Sequence, residues 1–319
     1  MRLSLLLPAR KRAERSATLA RWIARGNRLA DAVGGRDVVL HECFDVGAAT
    51  LPVAALTRSL DGGDAGGAKW LRADPAFVMA DAVTLRLLQC GNMDLSSEEV
   101  EAFAEALKPL FGDAGMPFDA PHPQRWYLRC EAGVGLPRFS SPDDALGDDL
   151  ARHLPTGDDA RRWRGLLNEV QIVLTQHPLN VRRMRRGLPL VNSLWFWGAG
   201  TLPESVRCGF DRVFSEDEVV VATARLARCA AVGDLGDAAR QFPADSSVPE
   251  RDGAQASVLI DLARQRDAQR LDREWLGPID SAMKRHRVGT LNLFCDSGER
   301  YVVKPLHRWR FWRRAKPAA

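Results

Sequence analysis

The stretch Asp61-Gly62-Gly63-Asp64-Ala65-Gly66-Gly67 decides how the chain divides. Its glycines leave it the least sterically restricted segment, as a crossing between two packed units requires. Upstream, residues 3–7 read as a short buried strand and residues 38–40 as another. Between them, residues 16–30 read as a helix through Leu19, Trp22, Ile23 and Leu29, with Gly26 its weak point. Downstream, residues 70–150 read as a compact α+β unit. Residues 83–88 fit a strand, and Ser96-x-x-Glu99 has the form of a capping box. The apolar stripe Val100, Phe103, Ala104 and Leu107 follows, and Pro109 should stop or kink that helix. Residues 125–130 alternate, with Trp126, Leu128 and Cys130 on one face of a half-buried strand.

Residues 154–157 read as a second hinge, and a helix over 158–176 carries Trp163, Leu166, Leu167, Val170, Val173 and Leu174 on its inner side. Pro178 ends it; Asn180 could cap a short basic turn over 181–186, closed by Gly187. Leu194-Trp195-Phe196-Trp197 is apolar throughout and suits a central strand covered on both faces. Further strands are expected near 218–223, 256–260 and 290–295, with helical stretches near 224–231 and 264–286. Strand–helix alternation on both sides of an α+β unit predicts an α/β domain, residues 1–69 and 151–319, interrupted by an inserted domain over 70–150.

Composition bounds the function. The chain has 319 residues, 45% hydrophobic and 27% charged, which excludes disordered, fibrous and membrane classes. No window approaches the ~18 apolar residues of a membrane helix, and the apolar run at 1–8 is too short for a signal peptide, so a cytoplasmic protein is expected. The net charge is +4, but basic residues crowd 1–28 and 301–319 and leave the middle acidic. Six cysteines without a CxxC or CxC pattern predict reduced, mostly buried thiols rather than a zinc ribbon or redox pair.

No Walker A, GxGxxG, HExxH or GxSxG motif is present. Gly198-Ala199-Gly200 reads either as a backbone approach to phosphate or as a tight strand exit. His177-Pro178-Leu179-Asn180 with Arg182, Arg183 and Asn192 combines guanidinium forks, amides and a helix N-terminus, which hold phosphates and carboxylates; the alternative is a solvated basic turn. Arg72 and Asp74 suggest a local ion pair. In the basic aromatic tail over 304–316, arginines alternate with Trp309, Phe311 and Trp312. This pattern fits core packing, nucleic acid or another anionic partner, or a lipid interface.

Five blocks occur in order: Trp70 to Pro75, Arg125 to Arg129, Leu167 to Gln171, His177 to Asn180 and Val191 to Gly200. They resemble the RpfE-type regulatory protein family of proteobacteria, which is phosphoglycerate-mutase-like. A more distant resemblance is to archaeal-type cofactor-independent phosphoglycerate mutases of the alkaline phosphatase superfamily. That resemblance implies a mixed sheet flanked by helices with an α+β insert, residues 70–150 looking like the insert. It also implies two Mn²⁺ or Zn²⁺ ions held by aspartates, histidines and a nucleophilic serine.

The family's D-E-A-G-H block is matched by Asp261-Leu262-Ala263-Arg264-Gln265 and its D-H-S-T block by Asp296-Ser297-Gly298-Glu299. Gln265 and Ser297 therefore stand where imidazoles are needed, and the first strand leads into Pro8-Ala9-Arg10 rather than a D-G turn. The resemblance leaves at most a partial metal site at Asp261, Asp296 and His307; Ser4, Ser16 and Thr18 are nucleophile candidates only through their proximity to the first strand. The expectation is a lost metal centre and no cofactor. It also implies that Arg72, Asp74, Arg125, His177, Asn180, Arg183 and Asn192 line an anion cleft for a small phosphorylated or carboxylate ligand. Three functions follow: a regulatory or ligand-sensing protein without working catalysis; an active metal-dependent mutase or phosphotransferase using Mn or Zn; and a binding module for nucleic acid or another anionic partner through the basic ends.

Overall fold

The structure is a computed structural model and describes residues 1–31, 35–81, 84–131, 134–157, 159–236, 238 and 255–313. Val83, Asp158, Arg314 and Lys316, which enter the expectations above, lie outside these residues. The chain separates into two units, Met1–Thr50 with Glu204–Ala319, and Leu51–Pro203.

The first unit opens with β1 (Arg2–Leu7), buried on both faces after Arg2, as a central parallel strand must be. A single turn, α1 (Arg10–Ala13), precedes α2 (Ala17–Arg25), whose Ser16 cap accepts from the Leu19 amide at 3.1 Å. Leu19, Trp22 and Ile23 bury its inner face. The helix ends at Gly26, whose backbone turns extended, and a Cβ there would stand 2.9 Å from the Trp22 carbonyl. β2 (Asn27–Arg28) follows, and then α3 (Arg36–Cys43) where a strand was expected. The run Val38-Val39-Leu40 has strand-like composition, but Val39, Leu40 and Cys43 are the residues that bury, a helical spacing. β3 (Phe44–Asp45) leaves this part.

The second unit contains α4 (Val53–Asp61), β4 (Lys69–Ala80), β5 (Leu85–Cys90), α5 (Ser97–Asp113), β6 (Phe118–His122), β7 (Arg125–Cys130), α6 (Pro142–Ala145), α7 (Ala160–Thr175), α8 (Pro178–Arg185) and β8 (Ser193–Thr201). The long β4 is the spine of an antiparallel sheet. It pairs β7 through residues 69–72 and β5 through residues 76–80, while β8 runs along its other edge. On one face Leu71, Trp126 and Phe196 pack against Phe103 and Leu107 of α5 and Trp163 of α7; Trp70 and Tyr127 pack with Ala54 and Ala55 of α4. The Ser96–Glu99 capping box forms at the start of α5, which continues through Pro109.

These pairings correct the boundaries expected from the sequence. Trp126 on β7 and Trp195 on β8 flank β4 in one sheet, so the unit reaches Pro203 instead of ending near 150. It also begins at Leu51, before the glycine-rich segment, which is only the turn from α4 into β4; Gly63 and Gly67 adopt φ of +72° and +70° there. The apolar β8 is an edge strand of this sheet, apolar because both of its faces are covered. The basic turn is α8, capped by His177 instead of Asn180.

The chain re-enters the first unit through β9 (Arg207–Cys208), antiparallel to β3. β10 (Arg212–Phe214), α9 (Glu218–Leu226), β11 (Ala231–Gly233) and β12 (Ser257–Asp261) follow. α9 replaces an expected strand over 218–223, because Asp217 caps its first turn by accepting from the Val219 amide at 2.9 Å. After β12 come α10 (Ala268–Leu271), a wider π turn over Asp272–Leu276, and α11 (Gly277–Lys284). β13 (Thr290–Cys295), β14 (Arg300–Val303) and a 3₁₀ turn over Pro305–Trp309 complete it.

The sheet order is β11-β10-β12-β1-β13-β14-β2. The first five strands are parallel, and β14 is antiparallel to its neighbours. The fold is therefore the expected mixed α/β class, a sheet flanked by helices. Trp309 and Trp312, which could have pinned the tail to the core, are 61% and 67% exposed. Among the described residues no helix is long and apolar enough to cross a membrane.

Candidate functional site

Parallel strands β10, β12, β1 and β13 end side by side, with Leu6 opposite Asp261 and Leu7 opposite Cys295. The crevice beyond the carboxyl ends of such strands is where open α/β sheets bind ligands. Here three carboxylates leave these ends: Asp217 after β10, Asp261 closing β12, and Asp296 after β13. All three meet the guanidinium of Arg36, the first residue of α3. Arg36 Nη2 lies 2.7 Å from Asp217 Oδ2 and 2.7 Å from Asp261 Oδ2, and Nη1 lies 3.3 Å from Asp296 Oδ1.

The remaining lone pairs are used as well. Asp261 accepts from Ser215 Oγ at 2.7 Å and from the Ala263 amide at 3.1 Å. Asp217 Oδ2 also faces Arg264 Nη2 at 3.3 Å, and Oδ1 caps α9. Electrostatics follow this pairing. Burial would discharge Arg36, but Asp261, Asp217 and Asp296 outweigh it and raise its pKa. Burial likewise opposes the charge on Asp217, yet Arg36 and Arg264 hold its carboxyl below the usual range. Asp296 goes the other way: burial, aided by Asp261, pushes it up to about 6 despite Arg36.

The metal that the resemblance implies does not fit this donor set. A dication needs carboxylate oxygens, and the best two carboxylates are already saturated by permanently cationic guanidinium groups. Among the described residues, no group of three or more His, Cys, Asp and Glu side chains is placed to hold a metal ion. His307 lies in the 3₁₀ turn after β14, where its Nδ1 accepts from the Lys304 amide at 3.3 Å. Ser297 accepts from the Arg10 amide at 2.9 Å, and Gln265 follows β12 in the adjoining loop. Ser4 sits buried within β1, accepting from Asn292 at 3.2 Å; Ser16 caps α2 and donates to Asp272 at 2.8 Å; Thr18 lies on α2.

The seven residues expected to line an anion cleft fall in the second unit, in separate structural roles. On β4, buried Arg72 forms a two-pronged pair with Asp74, both bonds 2.8 Å, and donates to Thr57 at 3.2 Å. Asp74 also accepts from Trp197 Nε1 at 2.7 Å. Arg125 pairs twice with Asp61, at 2.7 and 2.6 Å. Around α8, His177 caps the helix and packs on Phe103; burial lowers its pKa. Asn180 bonds the Leu174 and Val191 carbonyls at 2.7 and 2.9 Å. Arg183, fully buried, donates to Glu99 at 2.8 Å and to the Pro189 carbonyl at 2.9 Å. Asn192 pairs both ways with the Val78 backbone, at 2.9 and 2.8 Å.

Sequence reasoning missed Arg36, Asp217 and Ser215. Asp217 carried a usable signal as a cap before the apolar run 219–222, whereas nothing near Arg36 in sequence marks its role.

Comparison with known proteins supports a distant relationship. No family model matches the chain. The 2,3-bisphosphoglycerate-independent phosphoglycerate mutase of Methanosarcina barkeri is 26% identical over 174 residues, 54% of this chain and 43% of that protein. The enzyme of the same name from Methanothrix thermoacetophila is 29% identical over 133 residues, 41% of this chain and 32% of that one. A probable 2,3-bisphosphoglycerate-independent phosphoglycerate mutase of Geobacter sulfurreducens is 36% identical over 87 residues, 27% and 21% of the two chains. The matched segments thus span less than half the length of these curated relatives. Among solved structures, a cofactor-independent phosphoglycerate mutase from Thermoplasma acidophilum aligns with a TM-score of 0.40 at 16% identity, covering 95% of this chain and 89% of that one. The PH0037 protein from Pyrococcus horikoshii aligns at 0.49 and 13%, covering 95% and 87%. Over part of its length, this chain is similar to cofactor-independent phosphoglycerate mutases.

Proposed function

We propose that this chain is a phosphoglycerate-mutase-like protein without metal-dependent turnover, in a regulatory or ligand-sensing role, with a small phosphorylated or carboxylate acid as the ligand to be tested. The observation that carries this reading is Arg36 bonded to Asp217, Asp261 and Asp296 at the strand ends. Phosphoryl transfer by a two-metal centre requires ions that polarise the phosphoryl oxygens and stabilise attacking and leaving groups. A guanidinium neutralises the same carboxylates but offers no open coordination position and cannot lower the pKa of a bound hydroxyl as a dication does. Gln265 and Ser297 support the reading, since neutral amide and hydroxyl oxygens are weaker ligands than imidazole for Mn²⁺ or Zn²⁺.

The test assays the full chain for phosphoglycerate mutase turnover with added Mn²⁺, beside Asp261→Ala/Asp296→Ala, and records thermal stability with a phosphorylated three-carbon acid. The reading expects no turnover above the double variant and a melting temperature that rises with ligand concentration by mass action. Turnover that the double variant loses overturns it in favour of an enzyme. Absence of any stabilisation removes the ligand-sensing role.

A further inference from the structure

Cys208 on β9 and Cys229 just beyond α9 place their sulfur atoms 3.1 Å apart, the one such thiol pair among the described residues. A covalent bond of about 2.05 Å needs a closure of about one ångström from there. Both residues are partly exposed, whereas Cys43, Cys130 and Cys295 are buried.

The approach is built by the backbone. β9 is held against β3 in a fixed register, Phe44 opposite Cys208. Arg228 takes a positive φ of 55° at the end of α9, and the Cys229 amide folds back to the Ala224 carbonyl at 3.1 Å. This helix ending turns the Cys229 side chain toward β9. In its thiol form Cys208 also donates to the Phe210 carbonyl at 3.6 Å.

We propose that Cys208 and Cys229 form a reversible modification site, closing to an intramolecular disulfide with a peroxide as oxidant. The Cys208 thiolate attacks one peroxide oxygen, the O–O bond breaks, and Cys208 becomes a sulfenic acid; the other oxygen leaves as hydroxide and becomes water by taking up the proton that the Cys208 thiol released on ionising. The Cys229 sulfur then attacks the Cys208 sulfur; the S–S bond forms, the S–O bond breaks, and a second water leaves. Two thiols lose two electrons and two protons, and the peroxide is reduced to two waters. The shared hydrogen bond lets one sulfur donate to the other, and this coupling lowers the pKa of Cys208 and raises that of Cys229. Cys208 therefore takes the attacking role and Cys229 the resolving one. The half-buried Cys90 does not compete, because burial raises its thiol well above the ordinary value.

The bond would close a loop containing β10, Ser215, Asp217 and all of α9. Oxidation therefore staples the segment that supplies Asp217 to the Arg36 cluster. The inference stands on the thiol geometry and does not depend on the function proposed above.

The experiment exposes the full chain to a small molar excess of hydrogen peroxide, then alkylates, digests and maps it by mass spectrometry. Expected are the loss of two hydrogens, a linked pair of peptides bearing Cys208 and Cys229, and reversal by dithiothreitol. The oxidised form should melt at a higher temperature than the reduced one, and Cys208→Ser and Cys229→Ser should each abolish the link. Cys90→Ser should leave it unchanged. Both thiols remaining alkylatable, a link from Cys208 to Cys43 or to another chain, or irreversible over-oxidation of Cys208 without a link would each overturn the proposal.

Discussion

Replacing Arg36 with methionine keeps the aliphatic stem and removes the one cation shared by three aspartates. Asp217 and Asp261 are only 4% and 3% exposed, so water cannot take over the lost charge there, whereas Asp296, 27% exposed, is partly solvated. Removing one partner of a buried ion pair costs about 3–5 kcal/mol, and Arg264 offsets part of this at Asp217 alone. A loss of about 3–5 kcal/mol is a large share of a domain's usual stability of about 5–15 kcal/mol. Urea unfolding followed by tryptophan fluorescence at pH 7.5 should show it.

The loss should also depend on pH. Without the guanidinium, burial is less opposed at Asp217 and Asp296, whose folded-state pKa values rise, so the variant takes up more protons on folding. Its stability is then greatest at low pH and falls as pH rises through those raised values. The difference between wild type and Arg36→Met should therefore shrink on moving from pH 7.5 to pH 5. A loss below about 1 kcal/mol, or one equal at both pH values, would refute the view that Arg36 holds these carboxylates charged.

Other outcomes follow from the same geometry. Mn²⁺ should raise the melting temperature of Arg36→Ala more than that of the wild type, because the vacated carboxylates become available; equal responses would contradict this. Asp296, raised to about 6, takes up a proton on folding, so wild type should gain stability relative to Asp296→Asn as pH falls from about 7 to 5. A parallel pair of stability curves would reject that assignment. Arg183→Met should cost about 3 kcal/mol in denaturant unfolding, since it removes the buried partner of Glu99 and leaves that carboxylate only the Ser96 amide and Arg186 at 3.7 Å; a shift under about 1 kcal/mol counts against it. Ser96→Ala should cost about 1 kcal/mol through the lost cap of α5, readable in the same assay.

What the sequence made legible was local. The residue 3–7 run, the Ser96–Glu99 box, the alternation at 125–130 and the helix over 160–175 each carry their signal within a few residues, and each appears in the fold. Val38-Val39-Leu40 and Val219-Val220-Val221 misled because β-branched runs suit strands, while a favourable cap or burial of one helical face decides the outcome. The glycine-rich segment marked a turn but not a boundary; flexibility looks alike in both. Asp261 and Asp296 stood out through resemblance. Arg36 did not, because its partners lie 181, 225 and 260 residues away and no local pattern encodes such a meeting. The arginines of the expected cleft were chosen for charge, and charge alone could not reveal that Arg72, Arg125 and Arg183 meet carboxylates of their own unit.

The placement of β1 has a consequence for how the chain is made. Its neighbours on the two sides are β12 and β13, at residues 257–261 and 290–295. During synthesis at about 5–20 residues per second, a strand containing Leu3, Leu5, Leu6 and Leu7 waits with both hydrogen-bonding edges open until those partners leave the ribosome. The second unit can complete its sheet in that interval, since β4 and β8 both precede residue 202. The nascent chain would thus carry one finished unit beside an unpaired leucine strand, a natural client for a chaperone that holds extended apolar segments.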